Sequence, residues 1–336
     1  MEINPLQWVR WSPVLTLNEW LNEATLVADP VVWKKVQPLL SQKPAQQLEA
    51  SDLDEATLWA LAERTVPTSC VIGLGGGTAM DTAKYLAWRW QVPLILVPSA
   101  LTVDAPFTDS VALRREGRIH YAGHVVPEFV LIDSDLIRSA PPHLNRGGVG
   151  DLLSIHTALY DWQLAHQRLG EPYNAEVAQQ SAKILNHLSQ QASEIKSVSE
   201  RGVQLMVELF CEEVRLCHQV RSSRPEEGSE HHVLYTLEYQ TGRTYLHGSA
   251  VTLCALLVAH LQENNPEQLR HLADACGVDY RGMLHEIGVP ALRRAILSAP
   301  EYARQDQLPP TFLTLTDAIT EERVDRAIRW IEEGGL

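Results

Sequence analysis

Three groups of residues could carry chemistry in this chain. The first is Gly73-Leu74-Gly75-Gly76-Gly77-Thr78, a glycine run that follows an apolar stretch and opens a helical pattern. Glycines let the main chain approach a phosphate, and a helix N-terminus offers unbonded N–H groups and the positive end of its dipole. Neither common fingerprint fits. GxGxxG needs glycine where Thr78 stands, and no Gly-Lys-Ser/Thr follows for a P-loop. A phosphate cradle and a plain tight turn are both open readings of the loop. The second group is Asp151, His231 and His247. One carboxylate and two imidazoles suit Zn²⁺ or Fe²⁺ and leave coordination positions for a substrate. Taken singly, Asp151 is an acid favoured at a helix start by the dipole, and each histidine is an ordinary polar residue. The third is Asp29, which ends Val27-Ala28-Asp29. A carboxylate at a strand end can accept hydrogen bonds from ribose hydroxyls and repel a 2′-phosphate. Asp29-Pro30 reads equally as a simple turn.

The elements that must position these groups change character along the chain. Ala24–Ala28, Ser69–Leu74, Pro93–Val97 and Phe129–Ile132 are short apolar runs, read as strands. Helical patterns at Val31–Leu40, Leu53–Arg64 and Thr78–Trp90 alternate with them. Continuous apolar strands between helices predict a parallel sheet covered on both faces. Beyond about residue 140 the helical stretches Asp151–Arg168, Asn174–Glu194, Glu200–Gln219, Gly248–Glu263 and Glu321–Glu333 take over, with no convincing strand. The expected boundary lies near Pro141-Pro142 or Gly147-Gly148. The predicted organisation is therefore an α/β nucleotide-binding domain over residues 1–145 and an all-α domain over residues 146–336 that binds metal and substrate. Such pairs usually hold their ligand in the cleft between domains.

Composition narrows the function classes. The 336 residues are 45% hydrophobic and 21% charged, enough for a sizeable core without a disulfide or metal staple. A net charge of −14 and the lack of a basic stripe argue against a nucleic-acid partner. Arg114-Arg115 and Arg293-Arg294 read as solvated surface. The five cysteines are odd in number and include no CxxC pair, which predicts reduced core thiols and a cytoplasmic protein. The N-terminus lacks a signal-peptide pattern, and no apolar run approaches the roughly 20 residues of a membrane helix. No GxSxG elbow supports a serine nucleophile.

The loop continues as Gly75-Gly76-Gly77-Thr78-Ala79-Met80-Asp81-Thr82-Ala83-Lys84, a GGGxxxDxxK pattern. With Val97–Pro106 (VPSALTVDAP), Gly148-Val149-Gly150-Asp151, Ser223-Arg224-Pro225, Gly228-Ser229-Glu230-His231 and Leu246-His247-Gly248, the chain resembles the iron-containing alcohol dehydrogenase superfamily. That group includes glycerol dehydrogenases, glycerol-1-phosphate dehydrogenases and, more distantly, dehydroquinate synthases. The resemblance spans roughly residues 24 to 250 and implies the two-domain architecture of dehydroquinate synthases and group III alcohol dehydrogenases. It implies Asp151, His231 and His247 as ligands of one divalent metal, with His231 preferred over its neighbour His232. It implies a nicotinamide cofactor held by Asp29, Gly75, Gly76, Gly77, Thr78, Asp81, Ser99 and Thr102. NAD is preferred and NADP possible. It implies Asp104 as the residue that binds a substrate hydroxyl. Some iron-dependent members add a histidine one turn after the aspartate. Here that place holds Ile155, with His156 one residue further round. This favours zinc over iron or nickel.

The implied activity is interconversion of a small ketone and a secondary alcohol. The SRP–GSEH block points to dihydroxyacetone phosphate and glycerol-1-phosphate, in a cytoplasmic homo-oligomer acting on a polyol or polyol phosphate without nucleic acid or membrane. Glu226-Glu227, between SRP and the glycine, depart from the small residues expected there. Their charge disfavours a phosphate unless Arg224 compensates. Glycerol or another polyol is the alternative substrate. A dehydroquinate synthase-type cyclase would need more basic residues, and a non-catalytic relative would not need the intact ligand set.

Overall fold

The computed structural model describes residues 3–50 and 52–334, which form two compact units meeting at Asn145 and Arg146. The first, from Asn4 to Asn145, holds the strands β1 (Val9–Trp11), β2 (Ala24–Ala28), β3 (Gln46–Glu49), β4 (Cys70–Gly75), β5 (Leu94–Pro98), β6 (Ser110–Arg115), β7 (Arg118–His124) and β8 (Phe129–Ile132). Its helices are α1 (Pro30–Val36), α2 (Glu55–Arg64), α3 (Gly77–Trp90) and α4 (Ser134–Arg138).

Six strands form one parallel sheet in the order β1-β8-β5-β4-β2-β3. The four apolar runs read from the sequence are its four central strands. Every residue of β2, β4, β5 and β8 is buried, as a sheet covered on both faces demands. On one face Leu26, Ile72, Leu74, Val97 and Leu131 pack with Trp33 and Val36 of α1 and with Leu17 and Leu21. Each such side chain contributes on the order of 2 kcal/mol through removal from water. The edge strands β1 and β3 escape the sequence reading because they are short and carry half-buried and exposed residues. The antiparallel hairpin β6–β7 was not anticipated either. Glu116 and Gly117 take positive φ at its turn, the geometry that matches the twist of two-residue hairpins. Arg115, expected on solvated surface, is half exposed and makes a bidentate pair with Glu55 at 2.6 and 2.7 Å.

The second unit is helical: α5 (Pro142–Gly147, which straddles the boundary), α6 (Val149–Leu169), α7 (Ala175–Gln190), α8 (Ala192–Ser197), α9 (Glu200–Val220), α10 (Ser229–Thr241), α11 (His247–Gln262), α12 (Pro266–Cys276), α13 (Tyr280–Ile287), α14 (Val289–Gln305), α15 (Phe312–Leu315) and α16 (Glu321–Glu333). The single helix expected over 174–194 is broken at Gln191. Helix α11 sits at the centre, packed on α6, α10, α13 and α16. Fourteen of its sixteen residues are buried, so it shows an apolar surface all round instead of one stripe. Among the described residues, no helix is long and apolar enough to cross a membrane.

Candidate metal centre and phosphate loop

Asp151 lies in the first turn of α6, His231 in the first turn of α10, and His247 is the first residue of α11. One ligand atom from each lies within 4.8 Å of the other two, so the structure brings the three together. His247 Nε2 stands 3.4 Å from Asp151 Oδ1, and the two imidazole centroids are 5.5 Å apart. Two glycines make this possible. A Cβ on Gly150 would sit 1.9 Å from the carbonyl oxygen of Gly248, and one on Gly248 would sit 1.9 Å from that of Gly147. The α6 and α11 backbones therefore touch directly, and the residue after Gly150 and the residue before Gly248, Asp151 and His247, face each other.

His231 is oriented by its neighbour. Glu230 is fully buried, and its Oε1 accepts the His231 Nδ1–H at 2.9 Å and the Gly228 N–H at 2.6 Å. Its Oε2 accepts the Thr157 hydroxyl at 2.6 Å. The bond to Nδ1 fixes the tautomer that presents Nε2 as a donor to a cation, the usual support of a metal-bound histidine. Burial lowers the proton affinity of His231. The carboxylates of Glu230, Glu227 and Asp151 outweigh it and push the pKa up to about 9. A field that holds a proton this tightly also favours a divalent cation in its place. Deeper still, Asp161 accepts the N–H of Ser229 and of Phe312, both at 2.7 Å, tying the start of α10 to α6 and α15. Burial, then the Glu230 charge, push the Asp161 carboxyl up to about 7. Neither Glu230 nor Asp161 was singled out for a role from the sequence; only the pattern of a buried acid beside a histidine could have flagged the first.

The other candidates in this unit sort clearly. His232 lies outside the cluster, and burial pushes its pKa down to about 3, so it stays neutral. His156 is not a fourth ligand candidate: its Nε2 meets the Asn264 carbonyl at 2.6 Å, a joint between α6 and the end of α11. The structure overturns one expectation. Arg224 is not available to compensate the two glutamates, because it is buried and clamps Glu171 through Nε at 2.7 Å and Nη2 at 2.5 Å. The buried cysteines do not offer a nucleophile, since burial pushes Cys211 and Cys276 up to about 12.

In the α/β unit, Gly75 takes φ +151°, and a Cβ there would meet Asp29 and Ala79 at 3.0 and 2.9 Å. Helix α3 starts at the N-cap Gly76, which has no side chain to occupy its first-turn N–H groups. Thr78 is exposed on that first turn, and the Thr102 hydroxyl stands 3.9 Å from where a Gly76 Cβ would be. Ser99 is buried and donates its N–H to Gly75 O at 2.8 Å, tying the end of β5 to the loop. Asp81 pairs at 3.5 Å with the fully buried Lys84, which donates to Ser110 O at 3.2 Å and anchors α3 to the hairpin. Asp29 does cap α1, with Oδ1 accepting from Val31 and Val32, so the turn reading of that residue is realised. Its Cβ nevertheless lies 3.0 Å from where a Cβ on Gly75 would be. Asp104 is half-buried and starts a turn in which the Phe107 N–H donates to its carbonyl at 2.7 Å.

A parallel sheet ending in a glycine loop is thus followed by a helical unit carrying an Asp-His-His cluster. The structure resembles a probable glycerol dehydrogenase from Sinorhizobium meliloti, with TM-score 0.69 and 17% identity over 94% of this chain and 92% of that one. It is similar also to the glycerol dehydrogenase of Schizosaccharomyces pombe, with TM-score 0.68 and 19% identity over 95% and 87% of the two chains. A family model described as iron-containing alcohol dehydrogenase matches residues 8–141. Among curated relatives, a glycerol-1-phosphate dehydrogenase of the NAD(P)+ type from Hyperthermus butylicus is 33% identical over 69% of this chain and 68% of its own length. Another, from Staphylothermus marinus, is 31% identical over 77% and 72%. The chain belongs to the iron-containing alcohol dehydrogenase family, and it is an oxidoreductase.

Proposed function

We propose that the protein is a metal-dependent, NAD(P)-linked dehydrogenase that interconverts a small hydroxyketone and its secondary alcohol. The observation that carries this reading is the convergence of Asp151, His231 and His247 within 4.8 Å in a chain of this family. One acid and two imidazoles, half-enclosed and backed by Glu230, fit a divalent cation of the zinc or iron type. The absence of a histidine at Ile155 favours zinc. When bound, such a metal acts as a Lewis acid on the substrate oxygen, and a nicotinamide supplies the hydride acceptor or donor.

The chain's own residues do the rest. Asp151, His231 and His247 fix where the reacting oxygen sits, while Glu230 holds the His231 ring. Gly75, Gly76, Gly77, Thr78 and the start of α3 receive the pyrophosphate, with Ser99 and Thr102 lining it and Asp81 acting through Lys84 to hold the helix. Asp104 orients a neighbouring substrate hydroxyl. The relatives are named for glycerol-1-phosphate, which makes dihydroxyacetone phosphate the first ketone to test, with dihydroxyacetone as the alternative. Steady-state oxidation of NADH and NADPH with each ketone and added Zn²⁺ tests the reading. Turnover of either supports it, and turnover of neither with any metal overturns it.

Asp29 would set the cofactor preference by offering its carboxylate to the ribose hydroxyls of the cofactor. Asp29→Gly should raise the kcat/KM ratio of NADPH to NADH about tenfold, since one repelled charge is worth on the order of 1 kcal/mol at partly exposed range. Glycine also keeps the α1 cap within a few tenths of a kcal/mol. A ratio that does not move removes Asp29 from cofactor selection.

A further inference from the structure

We propose that Glu227 is the specificity-determining residue of the metal site, a fixed negative charge beside His231 that sets the enzyme against phosphate esters and toward uncharged polyol ketones. The proposal rests on the dehydrogenase reading above and names its substrate class.

The geometry begins on α10, where His231 and Tyr235 are four residues apart and share a face. Their ring centroids are 5.8 Å apart. Tyr235 donates its hydroxyl to Glu227 Oε1 at 3.0 Å, so the carboxylate is tethered on the side of the helix that carries the metal ligand. The loop before it is tethered too. Ser154, one turn after Asp151 on α6, donates its hydroxyl to the main-chain carbonyls of Asp151 and Glu226. Glu227 thus sits on a short, doubly held segment and cannot swing away without breaking the Tyr235 bond.

The cation that could neutralise this charge is held elsewhere through two of its three nitrogens, and the third, Arg224 Nη1, is buried. Arg224 is the one lysine or arginine between Ser222 and Gly242, and it is buried against Glu171 and the Pro310 carbonyl. A phosphate dianion near the metal would face Glu227 with no arginine from this segment to answer it. An uncharged hydroxyl in the same place would meet an acceptor instead of a like charge. At an effective dielectric near 20 and a separation of roughly 10 Å, each unit of phosphate charge repelled in this way weakens binding about tenfold or somewhat more. Glu226 contributes its main-chain carbonyl to the anchoring of this segment.

Glu227→Gln removes the charge and keeps the volume and the acceptor for Tyr235. The zinc content of wild type and variant is measured first. Inorganic phosphate is then titrated calorimetrically into each zinc-loaded protein, and kcat/KM is measured with dihydroxyacetone and its phosphate. The proposal expects phosphate to bind at least about tenfold more tightly to the variant, and the phosphate-to-free ketone ratio of kcat/KM to rise by a similar factor. Equal phosphate affinity in the two proteins overturns it. So does a variant that has lost its zinc, which would assign Glu227 to holding the site. If wild type reduces neither ketone, the dehydrogenase reading of the substrate fails, and the phosphate titration still decides the role of Glu227.

Discussion

His247→Ala is expected to abolish the bound metal and lower kcat/KM by about 10³-fold or more. The imidazole is one of three ligand groups within 4.8 Å, and it starts α11, where no neighbouring side chain replaces it in the described cluster. Two remaining ligands do not make a tight site for zinc, which in proteins takes three or four. Loss of the charge-stabilising group at a reacting oxygen typically costs about 3–4 kcal/mol of transition-state stabilisation. The fold should survive, because His247 is only half-buried and lies at a helix end. A thermal readout separates the effects. Saturating zinc at about 100 times its dissociation constant stabilises a native state by roughly 2.7 kcal/mol. In a unit of this size, that raises Tm by about 5–11 °C. Wild type should show this rise and His247→Ala should not, while both share the same metal-free Tm. Full metal occupancy in the variant would remove His247 from the ligand set.

Gly150→Ala should be the most damaging single methyl group in the helical unit. Its Cβ would lie 1.9 Å from the Gly248 carbonyl oxygen, 2.5 Å from the carbonyl carbon and 2.6 Å from Cα. All three are backbone atoms, so no side-chain rotation relieves the clash, and α6 must move away from α11. Overpacking of this kind costs about 1–3 kcal/mol and more when the backbone must shift, and about 1–3 kcal/mol here corresponds to a Tm loss of roughly 2–12 °C. The same displacement carries Asp151 away from His247, so zinc affinity should fall together with stability. A Gly150→Ala protein with wild-type Tm and full zinc would show that the two helices have room to slide.

The contrast between Gly150 and the Asp-His-His cluster shows what a sequence can and cannot carry. The four central strands were legible because a strand buried on both faces must be continuously apolar, and β2 and β8 were bounded to the residue. The edge strands β1 and β3 and the hairpin β6–β7 lack that constraint, since one side of each meets water or a partner that only the tertiary structure supplies. The break at Gln191 falls in a run with no glycine or proline to mark it. Asp151, His231 and His247 were named through their motif context; residue type and spacing alone left them as a helix-start acid and two ordinary histidines. Long-range partners were not readable at all. Nothing local to Arg224 reveals that Glu171, 53 residues earlier, takes its Nε and Nη2. Nothing local to Gly150 reveals that Gly248 needs the same space.

The most direct test of the metal centre is X-ray absorption at the metal edge of the purified, zinc-loaded protein. Two imidazoles from His231 and His247 and one carboxylate oxygen from Asp151, with oxygen completing the shell at about 2.0–2.2 Å, is the predicted spectrum. A shell containing sulfur, or one without two imidazoles, would contradict the assignment.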